Sequence, residues 1–219
     1  MMEDKNYAAR LEVDYPEQLD RLTTLLRLFW IIPILIILGL ISNAGETVTN
    51  TVILNEAGQV IERTRDTAGG LLTGLSAATV LMLLFTHTYP RWWFDFVREL
   101  TRFGARVGAY AALLTDQYPS VVEEQAVHLE IDYPDAKNDL SRWMPLVKWF
   151  LAIPHYIVLA VLGAGAVFAI IIAWFAILFT GKYPECLFNY VVGVFRWGLR
   201  VNAYVSLLVT DEYPPFSLK

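Results

Sequence analysis

The sequence predicts an all-α membrane protein of two pseudo-repeats. Each repeat is a transmembrane helical hairpin plus an amphipathic interfacial helix, with small β elements added. Three observations predict this. Apolar residues make up 56% of the 219 residues and charged residues only 18%, whereas soluble domains carry about 25% charge. Runs free of Asp, Glu, Lys and Arg recur at residues 28–41, 71–89 and 149–180. Finally, residues 85–119 return as residues 179–214. Tyr89-Pro90 aligns with Tyr183-Pro184, and Ala109-Tyr110 with Ala203-Tyr204. Arg102, Gly104 and Arg106 align with Arg196, Gly198 and Arg200, and Tyr118-Pro119 with Tyr213-Pro214, with one residue inserted near Val209. A duplication implies the same local structure twice. The expected units are therefore residues 1–120 and 121–219.

Taken in order, residues 1–20 are polar and lack the short apolar core of a cleavable signal. Within them Leu11-Glu12-Val13-Asp14-Tyr15 alternates apolar with polar, and residues 127–133 do the same. That is the period of a half-buried strand. Because 11–16 aligns with 129–134, the two read as equivalent strands on one side of the membrane and as candidates to pair. Residues 22–41 form the first membrane helix, with Arg27 able to snorkel and Trp30 near the headgroups. Pro33 should kink it, and Ile32-Pro33 recurs as Ile153-Pro154, so the kink is expected twice.

Residues 42–70 carry Glu46, Glu56, Glu62, Arg63, Arg65 and Asp66. Each charge costs on the order of 3 kcal/mol at mid-membrane, so this segment is expected outside. There 49–54 and 59–64 flank Asn55-Glu56-Ala57-Gly58 as a β-hairpin. Residues 71–89 return through the membrane. In the second half, residues 149–180 exceed the roughly 20 residues a span needs. Alignment with the first half's loop predicts a tight hairpin at Gly163-Ala164-Gly165, between helices of about 143–162 and 165–183. One tilted helix is the alternative.

The amphipathic helices are expected at about 90–114 and 184–209. On a helix, Arg91, Asp95, Arg98, Glu99, Arg102 and Arg106 share an arc of roughly 100°, with aromatic and aliphatic residues filling the rest. Pro90 suits the first helical position. Asp95–Arg98 and Glu99–Arg102 are spaced to pair. In the second copy Val192 and Gly193 replace Arg98 and Glu99, leaving Arg196 and Arg200 without obvious local partners. Arg binds phosphate bidentately. Arg102, Arg106, Arg196 and Arg200 are therefore the candidate binders of anionic lipid headgroups, against a bland reading of generic interfacial anchoring. Flanking positive charge predicts cytoplasmic termini and a cytoplasmic middle segment, with four spans. If the amphipathic helices also cross, there are six spans and inverted repeats.

Little points to catalysis. The formal charge of −5 argues against nucleic acid as a partner. His87, His128 and His155 have no metal-ligand spacing, and no nucleophile or phosphate-loop motif is present. No catalytic residue, cofactor or metal is expected. His155 reads as a packing or hydrogen-bonding residue within a span. Cys186, the one cysteine, cannot form an internal disulfide and sits where palmitoylation occurs. The Tyr-Pro boxes at Tyr15, Tyr89, Tyr118, Tyr133, Tyr183 and Tyr213 read as structural punctuation.

The duplicated L-E-[VI]-D-Y-P, the internal I-P, F-T-x-x-Y-P, R-[FW]-G-x-R-V-x-A-Y and T-D-x-Y-P together resemble a family of bacterial membrane proteins catalogued as a domain of unknown function. The resemblance covers nearly the whole chain and implies bacterial origin and membrane location; it carries over no site residues, and the expected place is the bacterial cytoplasmic (inner) membrane, multi-pass. The expected function is an integral-membrane scaffold or accessory subunit that engages anionic lipid, shapes membrane and forms a homo-oligomer or larger membrane complex. The alternative is a small transporter or lipid carrier with a polar seam between the repeats.

Overall fold

The computed structural model describes residues 7–43, 47–54, 60–68 and 71–219. The chain is mostly helical, with two small antiparallel strand pairs. In order the elements are β1 (Ala9–Val13), α1 (Arg21–Asn43), β2 (Thr47–Leu54), β3 (Val60–Ala68), α2 (Leu71–Thr86), α3 (Arg91–Ala111), β4 (Val127–Ile131), α4 (Met144–Leu151), α5 (Ile153–Thr180) and α6 (Glu185–Val205).

The alternating segments do form strands, and they pair with each other. Leu11 stands opposite Leu129, Ala9 opposite Ile131 and Val13 opposite Val127, so the register centres on two aligned leucines. The hairpin expected between the first two helices is also present, β2 against β3 with an irregularity at Ile53/Leu54. Its expected turn, Asn55-Glu56-Ala57-Gly58, lies outside the described residues.

The expected hairpin at Gly163-Ala164-Gly165 does not form. Helix α5 runs unbroken through it for 28 residues, about 42 Å at 1.5 Å per residue. A turn there would strip several backbone groups of partners, with no Asn, Asp or Ser nearby to replace them. Each such loss costs more than the ~1 kcal/mol of a helical glycine. The break falls earlier, at Ala152, where Pro154 occupies the start of α5. Helix α1 bends by 47° between Arg21–Arg27 and Phe29–Gly39. Pro33 lacks the N–H that would bond the Phe29 carbonyl, so the α1 bend lies about a turn upstream of its proline, whereas Pro154 sits in the first turn of α5 and starts that helix anew.

Among the described residues, α5 alone is long and apolar enough to cross a bilayer; α1 joins it only if its bent segments count as one span. At 16 residues, α2 covers about 24 Å, short of the ~30 Å hydrocarbon core. The second of the two expected hairpins is thereby corrected, and of the four expected spans only α5, with α1 if its bent segments are one span, has the length and apolarity required among the described residues.

The elements stack in three layers. Helix α6 packs antiparallel along α5: Trp197 lies on His155 and Tyr190 reaches the Leu162 carbonyl at 2.9 Å. The buried stripe His155, Ala166, Ala169, Ala173, Ile177 on α5 has the 3–4 residue spacing of a helix face. Helix α3 lies against α1 and α2 in the same manner. Val107 and Tyr110 pack on Ile31 and Ile34, and Trp93 Nε1 donates to Thr79 Oγ1 at 2.9 Å. On the other side of this middle layer sits the β1–β4 sheet, β1 on α6 and β4 on α3. The strands' inward residues, Ala9, Leu11, Val127, Leu129 and Ile131, are buried. Their outward residues include Glu12, His128 and Glu130, all exposed.

Candidate functional site

Proline precedes both amphipathic helices, but as the cap rather than the first helical residue. Pro90 and Pro184 have ψ of 133° and 122°, and each carbonyl accepts the first helical N–H, from Phe94 and Phe188, at 3.0 Å. The two helices that follow turn their arginines toward the sheet. Arg102 pairs with Glu99 at 2.7 Å and Arg98 with Asp95 at 3.3 Å, the spacing expected. Arg102 Nη2 also donates to the Leu129 carbonyl at 3.4 Å, and the aligned Arg196 Nε donates to the aligned Leu11 carbonyl at 3.0 Å. Arg106 donates to the Ser120 carbonyl at 2.5 Å, and Arg200 to the Lys219 carbonyl.

The four candidate headgroup binders thus hold strands and connecting segments. Arg106 and Arg200 are only 8% and 2% exposed, so both are largely enclosed by protein. Arg196 and Arg200 were expected to lack obvious local partners; both bond carbonyls outside their own helix, which helix periodicity cannot reveal.

Matched contacts tie each half to the other. Tyr15 Oη donates to the Tyr183 carbonyl at 2.5 Å, and Tyr133 Oη donates to the Tyr89 carbonyl at 2.5 Å. The Tyr15 ring meets Phe188 edge-on at 5.0 Å, and the Tyr133 ring meets Phe94 at 5.2 Å. The Tyr-Pro boxes are joints between the halves as well as punctuation. Burial raises the phenol pKa of Tyr7 and Tyr183 and pushes Tyr89 up to about 12.

Two buried ion pairs were missed from the sequence. Arg27 pairs with Asp116, and Lys148 with Asp211 at 2.8 Å. Each cation also lies over a tyrosine ring, Arg27 over Tyr110 at 4.6 Å and Lys148 over Tyr204 at 4.8 Å. Each aspartate accepts a second bond from a backbone N–H at the start of a helical rod, α1 in one half and α4–α5 in the other: Asp20 at 2.7 Å and Ser141 at 2.6 Å. The available signal was the repeated Thr-Asp-x-Tyr-Pro, together with a cation six residues before each Ile-Pro proline.

His155 is fully buried. Its Nδ1 accepts from Trp197 Nε1 at 3.1 Å, and its ring stacks on Phe216 at 4.1 Å. The accepting Nδ1 assigns the proton to Nε2, which has no hydrogen-bond partner among the described residues. Cys186 is exposed.

Between the helices α1–α3 and the helices α4–α6 lies a cleft of about 910 Å³. Helix α3 lines one wall with Leu100, Gly104 and Gly108, and α6 the other with Val194, Gly198 and Asn202. Leu11 and Leu129 of the sheet close the inner end, while Trp149 and Tyr156, both well exposed, stand at its mouth. None of the described residues lining it is charged. The carrier alternative calls for a polar seam between the repeats; this cleft is lined mostly by apolar residues, with Ser76, Thr79, Thr101, Asn202 and Ser206 among them.

Residues 142–217 match a family model described as Domain of unknown function (DUF4389). The matched segment begins just before α4 and ends within the C-terminal tail, so it holds one complete rod, its amphipathic partner and Asp211. No curated protein and no solved structure matches the chain.

Proposed function

We propose that this chain is a bacterial membrane scaffold of two pseudo-equivalent halves, which seats its apolar face in one leaflet of the cytoplasmic membrane. Both termini and residues 115–142 lie on the cytoplasmic side. The observation that carries the reading is the layering. On the rod side, Phe29, Ile36, Trp149, Ile157, Phe168, Ile172 and Phe179 are exposed, a contiguous apolar face far beyond that of a soluble monomer. On the opposite side the sheet presents charge: Arg10 is bonded to Asp132 at 2.7 Å and to Glu130 at 3.3 Å, and His128 lies 3.1 Å from Asp14.

The same layering supports an in-plane α5. Strand β1 follows α6, with Tyr7 at the Arg200 carbonyl and Tyr15 at the Tyr183 carbonyl, and α6 follows α5. Upright, α5 would carry Arg10, Glu12, Asp14, Glu130 and Asp132 to bilayer depth, each at a cost on the order of 3 kcal/mol. Lying flat, the rods enter hydrocarbon and the sheet stays in water. Exposed Arg21, Arg142 and Lys182 at the rod ends are placed to meet anionic headgroups. A body filling one leaflet only expands that leaflet and curves the bilayer, which supports a membrane-shaping role.

The test is depth. Spin labels at Ile157, Phe168 and Phe179, read against lipid- and water-soluble relaxers in vesicles, should report similar burial. A profile with Phe168 deepest and the two ends near opposite surfaces overturns the in-plane reading. Recovery of the protein in the soluble fraction without detergent overturns membrane residence altogether.

A further inference from the structure

We propose that the cleft between α3 and α6 is a binding site for one acyl chain of a leaflet phospholipid. This rests on the membrane reading above. A mostly apolar cavity of this size offers few polar partners for ordered water and is an unfavourable place to leave dry. Its volume lies within the range of sites that enclose small ligands. Two of the hydroxyls in its wall are already used: Thr79 Oγ1 receives Trp93 and donates to the Leu75 carbonyl, and Thr101 Oγ1 donates to the Val97 carbonyl. The lining therefore asks for hydrocarbon.

Two features commit the site to a lipid chain. The mouth residues Trp149 and Tyr156 belong to the exposed apolar face, so the cleft continues the surface that meets the bilayer. A chain can enter from the leaflet without crossing water. The space is also kept open by glycine at aligned positions on both walls. A Cβ built on Gly104 or on Gly198 meets nothing within 4 Å. Glycine in a helix interior is unfavourable without a packing reason, and here the hairpin contacts do not supply one. At Gly108, by contrast, a Cβ would lie 3.6 Å from the Phe195 ring of the other wall.

The experiment compares the full chain with Gly104→Leu, Gly198→Leu and the double variant. Each is reconstituted in phosphatidylglycerol–phosphatidylethanolamine vesicles, released into mild detergent and weighed by native mass spectrometry. Flotation of the same vesicles is measured in parallel. The wild type should retain one phospholipid per chain, and the double variant at least tenfold less, with an unchanged or raised thermal midpoint and unchanged flotation. Equal retention by the double variant overturns the site. A retained free fatty acid in place of phospholipid overturns the assignment of the chain's source. Wild-type protein that floats without any adduct sinks the cleft proposal and leaves the membrane reading standing, whereas failure to float sinks that reading whatever the adduct.

Discussion

Removing the Asp211 carboxylate tests the buried ion pairs most directly. The Lys148 side chain is 1% exposed and Asp211 18% exposed, with Nζ 2.8 Å from Oδ1. Nζ also donates to the Thr210 carbonyl at 2.7 Å. Asp211→Ala leaves an ammonium buried against one carbonyl and the Tyr204 ring. Breaking one side of such a pair costs about 3–5 kcal/mol. For a chain of this size each kcal/mol moves the midpoint by about 2–4 °C, so a fall of about 6–20 °C is expected. Thermal unfolding in detergent, followed by tryptophan fluorescence, reads it. Lys148→Met combined with Asp211→Asn removes both charges and should recover most of the loss, because a buried pair and an apolar replacement differ little. A single-variant cost below about 1 kcal/mol, or a double variant no better than the single, would show that the ammonium is not held in a dry site.

Further outcomes follow from other contacts. Tyr15→Phe and Tyr133→Phe each remove a hydroxyl bonded to a carbonyl of the other half. Each should lower stability by about 1 kcal/mol, and urea midpoints that do not move would discount the joint. A Cβ at Gly193 would lie 2.6 Å from the Leu218 carbonyl. Gly193→Ala should therefore displace the C-terminal tail, at about 1–3 kcal/mol, and carboxypeptidase should trim the variant faster than the wild type. The phenols of Tyr7, Tyr89 and Tyr183 are raised by burial, so the stability they confer is complete below the unfolded value near pH 10 and is lost as pH climbs beyond it. Thermal midpoints should hold to about pH 9.5 and then fall, and Tyr7→Phe should flatten that fall.

What was legible in the sequence was local. Alternation at 11–15 and 127–133 marked strands, and the polar insertion marked β2 and β3. The i, i+3 spacing marked the Glu99–Arg102 pair, and the Ile-Pro dipeptides marked the bends. What escaped was which surface covers which. An arc of arginine on α3 says that one face is polar; it does not say that a strand 16 residues downstream lies on it. For α6 the covering strand is β1, at the far end of the chain. The Gly163-Ala164-Gly165 turn failed because alignment with the first half carries no information about backbone satisfaction, which favours an unbroken helix. The two buried cations escaped because a cation near a helix start reads as a snorkelling anchor until its aspartate, some 60 to 90 residues away, is seen beside it.

Crossed strand placement also sets an order of events at the ribosome. The charged side of α3 is covered by β4 soon after it emerges, since Val127–Ile131 follows Arg91–Ala111 closely. Strand β1 is among the earliest segments made, yet its seat on α6 is translated nearly last. At 5–20 residues per second the N-terminal segment waits on the order of ten seconds or more with an open edge. Its alternation with Arg10, Glu12 and Asp14 is the kind of charge that keeps such an edge from recruiting a neighbouring nascent chain.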